Sequence, residues 1–188
     1  MRGKFFLPMI FLVAGCYQQV ENDHGEPANL APSIELTGRV VDQADLLSAE
    51  TEKELTRVLE NLEKTSGPQF VIASTKSLNG RKIEDYSIDL ARIWAIGDKH
   101  RDDGVLMLVA LNEQKVRIEV GRGLEASLSD SFCSKVIRED MLPPFSAGKM
   151  EAGIANGAAR LIEKMQMVPT IPANDNVTGT AIQDRKAS

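Results

Sequence analysis

Little in this sequence belongs to the equipment of a familiar catalyst. Its 188 residues include only two histidines and two cysteines. Zinc ligands at their usual spacings are absent, and so is the acidic loop of an EF-hand. His24 lies in a polar, proline-containing stretch, and His100 has no recognisable nucleophile to serve, so neither reads as a general base. Basic residues are outnumbered as well, with 22 Lys and Arg against 27 Asp and Glu and no basic cluster, which argues against a nucleic-acid partner. No apolar run approaches the roughly 20 residues of a membrane-spanning helix, and there is no internal repeat. What remains is an ordinary composition, 43% hydrophobic and 26% charged, long enough for one domain with a real core.

The two ends differ from the middle. Residues 1–15 carry Arg2 and Lys4, then an apolar run from Phe5 to Val13, then small residues, which is the layout of a secretory signal. The junction Leu12-Val13-Ala14-Gly15-Cys16 resembles a bacterial lipobox, which would make Cys16 a diacylated first residue and tie the mature chain to a membrane through its acyl chains. Tyr17, where inner-membrane lipoproteins commonly carry aspartate, favours the outer membrane of a Gram-negative envelope, on its periplasmic side. Lipidation at Cys16 leaves Cys133 without a disulfide partner. Beside Phe132 and near Val136 and Ile137, Cys133 reads as a small buried hydrophobe rather than a reactive thiol. Loss of the signal removes two basic residues and no acid, leaving 20 against 27 and a net charge of −7. Residues 16–33 read as a flexible tether and 167–188 as a disordered tail, both poor in bulky apolar side chains.

Between them, 34–166 form one domain. Leu55, Val58, Leu59 and Leu62 recur at helical spacing behind Ser48 as N-cap, predicting a helix over 49–64. A strand follows at 69–74, and a second helix at 83–96 with Gly97 as its C-cap. The run 105–111 is almost wholly apolar and suits a strand covered on both faces; 115–120 alternates and pairs with it as an antiparallel hairpin. Helices at 129–142, stopped by Pro143-Pro144, and at 150–165 close the domain, with Gly153 and Gly157 packed against the sheet. The expected fold is α/β: a layered sandwich with a small mixed β-sheet flanked by helices.

The hairpin brings Asp102-Asp103-Gly104 at its entry beside Gly121-Arg122-Gly123-Leu124-Glu125 at its exit. Asp102, Asp103 and Glu125 are thereby predicted to converge on one sheet edge, among glycines that leave backbone groups exposed. Clustered acids in glycine-rich loops suit a hard cation such as calcium or magnesium, while a solvated turn is the simpler explanation from the residues alone. Asp130 either joins that cluster or favours the start of a helix, and Arg122 either binds an anion or pairs with an acid.

Five blocks in order carry a resemblance. They are Gly38 to Ser48 ("GRVVDQADLLS"), Trp94-Ala95-Ile96-Gly97, Asp103-Gly104-Val105-Leu106, Val120 to Glu125 ("VGRGLE") and Pro144 to Gly148 ("PFSAG"). Together they resemble the TPM domain family across about 38–165. The resemblance implies a divalent-cation site at the acids of these blocks, which adds Asp42, and either acid phosphatase activity or a part in assembling or maintaining membrane proteins. Two positions depart from the family: Asp103 stands where asparagine is usual, and an aromatic is missing near Met150. If 39–42 is a strand parallel to 69–74 and 105–111, Asp42 belongs at the opposite end of the sheet, where it either returns through an irregular segment or only caps the first helix.

Overall fold

The computed structural model describes Pro32 and residues 34–167. The expected signal, Cys16, almost all of the tether and the tail from 168 lie outside the described residues. Four strands, β1 (Val40–Asp42), β2 (Gln69–Thr75), β3 (Gly104–Ala110) and β4 (Lys115–Val120), form one sheet in that order. The first three are parallel, and β4 returns antiparallel to β3 with Val105 opposite Val120. The mixed sheet flanked by helices is the expected fold.

Every residue of β3 and all but the first of β2 are buried, because helices cover both faces. Phe70, Ile72, Val105 and Met107 face α1 (Ala49–Ser66) and α5 (Met150–Gln166), which contribute Leu55, Leu59, Ile154 and Leu161. Val71, Ala73, Leu106 and Leu108 face α2 (Ile83–Ile93), which contributes Ile83, Tyr86 and Leu90. Here α1 joins β1 to β2 and α2 joins β2 to β3, both steps running the same way across the sheet. Helices on opposite faces then require crossovers of opposite hand, so one of the two departs from the usual right-handed rule. The N-terminal segment is anchored on the α2 face, where Trp94 Nε1 donates to the carbonyl of Ile34 at 2.9 Å.

Several boundaries differ from the sequence reading. α2 ends at Ile93 because Ala95, at φ 48°, takes the left-handed position itself; Ile96 N then bonds Ala91 O, closing the helix ahead of Gly97. Pro143 and Pro144 do not stop a helix. Instead α3 (Asp130–Val136) widens into a π-helical turn, Ile137–Met141, and continues as α4 (Leu142–Ser146), whose first turn needs no N–H from the prolines. Gly153 and Gly157 make room for Phe145 and Met141 on this segment, and only Gly157 also approaches the sheet, at Met107.

Candidate functional site

Three glycines bind the loop before β3 to the loop after β4. Gly121 N donates to Gly104 O at 2.8 Å, and Gly123 N donates to Asp102 O at 2.8 Å. A Cβ on Gly104 would fall 2.3 Å from Ile96 O, one on Gly121 2.3 Å from Asp102 O, and one on Gly123 1.9 Å from Arg101 O. These positions hold backbone against backbone, at distances no side chain permits. The amides of Gly121 and Gly123, expected to be exposed and unused, are therefore spent within the fold. Gly97, at φ +93°, adds a further tie by donating its N–H to the side chain of Gln69 at 2.6 Å.

This frame separates the two adjacent acids. Asp103 turns inward, with its side chain only 7% exposed. Its Oδ1 accepts from Asp98 N at 2.9 Å and its Oδ2 from Arg101 Nε at 2.7 Å, so both oxygens are engaged. Asp102 adopts φ 49°, a left-handed backbone that aspartate tolerates better than most residues, and its half-exposed carboxylate meets Arg122 Nε at 3.1 Å. The remaining candidates are scattered. Glu125 is exposed just beyond the turn Arg122–Leu124, and Asp130 occupies the first turn of α3, behind the N-cap Ser129. Asp42 ends β1 at the far end of the sheet: its register partner Ser74 sits opposite Val109, five residues along β3 from Gly104, or about 17 Å. There Asp42 Oδ2 accepts from Leu46 N and Leu47 N at 2.7 and 2.8 Å, and Oδ1 from Ser74 Oγ. Asp42 thus secures the chain entering α1 and is not part of the loop cluster.

The loops form one wall of a cleft of about 410 Å³, closed on the other side by the end of α2. Asp98, Asp102 and Glu119 line it together with Arg92, Lys99 and Arg122, and its apolar floor includes Ile88 and Leu106. Sequence reading missed Asp98, Lys99 and Glu119. Asp98 Oδ1 accepts from the amides of His100 and Arg101, which lowers its pKa and gives the loop an Asx turn. The signal for it was an aspartate directly after the glycine that follows α2. A second hollow of about 600 Å³ outside α2 is bounded by Arg81 and Asp89, which already pair with each other.

Donor chemistry limits the cation reading. A calcium ion takes six to eight oxygens, yet among the described residues no group of three or more acids, histidines or cysteines is placed to hold a metal. With Asp103 turned inward, Asp102 and Glu125 offer at most an incomplete set, so a cation here would need oxygens from solvent or a bound partner.

Cys133 lies outside this cleft, buried against Leu128 O. Burial, and secondarily Asp130, push its thiol up to about 11, partly offset by Arg117. The thiol is therefore expected to resist iodoacetamide at pH 8 until the chain is unfolded, as read by mass spectrometry of the Cys133 peptide. Because the unfolded thiol ionises first, this residue should cost stability progressively between about pH 9 and 11. Rapid alkylation of the folded protein would contradict both expectations.

A protein-family model described as the TPM domain matches residues 40–164. The chain belongs to the TPM domain family. The glycine-locked loops and the cleft all lie within the matched span of this TPM domain. Among solved structures it is similar to the N-terminal domain of a protein from P. gingivalis, with 29% identity, a TM-score of 0.66, and coverage of 72% of this chain and 88% of that one. It also shares its fold with the BA42 protein of the psychrophilic bacterium Bizionia argentinensis, at 20% identity over 63% and 81% of the two chains and a TM-score of 0.54. The N-terminal domain of the cg2496 protein of Corynebacterium glutamicum agrees in fold at 9% identity, a TM-score of 0.54, and coverage of 84% and 94%. No curated protein matches the chain.

Proposed function

We propose that this TPM-domain protein is a binding module tethered to the periplasmic side of a Gram-negative envelope membrane, the outer one by preference. In this reading it takes part in assembling or maintaining membrane and envelope proteins, and its cleft recognises them with a divalent cation, calcium or magnesium, shared between Asp102 and the bound partner. The observation that carries this reading is the division of the acid pair. The fold buries and satisfies Asp103, while it accepts a left-handed backbone to keep Asp102 at the rim of a cleft of mixed charge. Isothermal titration of the full chain with calcium and magnesium tests the reading. Weak binding is expected, lost in Asp102→Ala and reduced in Glu125→Ala; no heat at millimolar metal rejects it.

The tether rests on the lipobox at Cys16, since no helix among the described residues is long and apolar enough to cross a membrane. Mass spectrometry of the mature N-terminus should find acylated Cys16. An unmodified residue other than cysteine would end the lipoprotein reading.

One observation favours a second reading, a metal-dependent acid phosphatase. Among the described residues Arg122 pairs only with Asp102, through Nε, and its side chain is 87% exposed. Its terminal nitrogens suit a phosphate. Turnover of a phosphomonoester that persists through purification and disappears in Glu125→Ala would put this reading first.

A further inference from the structure

β4 is an edge strand whose outer side has no partner in the sheet. The bond from Gly121 N to Gly104 O fixes which of its backbone groups turn inward. Antiparallel pairs alternate between bonded and non-bonded, so Lys115, Arg117 and Glu119 direct their N–H and C=O groups to β3. Val116, Ile118 and Val120 direct theirs outward, and among the described residues no other element offers them a backbone bond. No proline or bulge guards this six-residue edge; β3 and α2 approach the strand most closely, and Val116, Ile118 and Val120 pack into the core that includes Cys133 and Val136 of α3. Its charges are of opposite sign on one face, Arg117 and Glu119 flanking Ile118, while Val116 and Val120 flank the same residue on the other.

We propose that two copies of this chain pair antiparallel through their β4 edges, centred on Ile118. That register places Val116 opposite the partner's Val120 and Ile118 opposite the partner's Ile118, and each such pair exchanges both backbone hydrogen bonds. Arg117 then stands opposite the partner's Glu119 in the closer, non-bonded kind of pair, where side chains meet most directly. Within one chain Arg117 Nε already reaches Glu119 at 3.0 Å, so pairing turns two isolated ion pairs into one four-charge cluster of alternating sign. Shifting the register by two residues loses this match. Lys115 also falls opposite the partner's Gly121, which lines the cleft, so each copy adds a cation beside the other's cleft. The occupant is a second copy because the strand is complementary to itself in both charge and apolar pattern.

Sedimentation velocity of the full chain in mild detergent, across a wide range of concentration, tests the pairing. A concentration-dependent dimer is expected. Arg117→Glu and Glu119→Arg should each weaken it by at least about tenfold, since each sets like charges opposite one another. The double variant Arg117→Glu/Glu119→Arg should restore it, and an equimolar mixture of the two single variants should form a heterodimer, with circular dichroism confirming that every variant is folded. A chain that stays monomeric at the highest concentration, or a dimer indifferent to the single reversals, overturns the proposal.

Discussion

Gly123→Ala is expected to destabilise the domain by about 3 kcal/mol or more, enough to threaten folding at physiological temperature. The added Cβ would lie 1.9 Å from Arg101 O and 3.0 Å from Asp102 O, and both atoms belong to backbone that cannot swing aside. Asp102 O is also the acceptor for Gly123 N, so relieving the clash breaks the bond that joins the two loops. Gly148→Ala is the control. It has open space for a Cβ and pays only for its φ of +72°, about 1 kcal/mol. Urea denaturation of both variants makes the comparison. Equal losses would mean that the contact between loops contributes little.

The second large effect concerns Asp103. Asp103→Ala should cost about 2–3 kcal/mol, because it leaves the Asp98 amide unpaired and removes the nearer of the two carboxylates that pair with Arg101, at a poorly exposed site. The Arg101 side chain is 43% exposed and can recover some hydration, which keeps the loss below that of a fully buried pair. Asp103→Asn retains a carbonyl oxygen for Asp98 N and should cost less than half as much. Thermal unfolding of the pair decides the matter. An alanine variant as stable as the wild type would show that the carboxylate only occupies space.

The sequence was informative where one physical requirement dominates. An almost unbroken apolar run over 105–111 suits a strand covered twice, and the three residues between it and 115–120 imply the hairpin that brings the two glycine loops together. For Asp42 the sequence left two alternatives, a return to the loop cluster or a cap on the first helix; the structure places it at the far end of the sheet, bonded to Leu46 N and Leu47 N. What stayed hidden had competing causes. Continuous apolar runs do not reveal which helix covers which face, so the opposite hands of the two crossovers could not be read from β2 and β3. Nor could the sequence tell which of Asp102 and Asp103 points inward, since the left-handed backbone at Asp102 breaks the alternation of strand residues before β3 begins. Ala95 misled in a similar way: a glycine was expected at the helix end and stood two residues further on, where it serves a different contact. Four of the glycines in the TPM blocks, Gly97, Gly104, Gly121 and Gly123, are positions where backbones touch, which gives those blocks a physical reason for their spacing; Gly38 and Gly148 are not.

The central claim is that the fold reserves Asp102 for ligands and Asp103 for itself. Melting temperature with and without excess calcium, measured on the wild-type chain, Asp102→Ala and Asp103→Asn, tests it most directly. The account predicts a small metal-dependent rise in the wild type and in Asp103→Asn, and none in Asp102→Ala, because only a ligand of the native state raises its stability by mass action. The same rise in all three, or no rise in any, would contradict it.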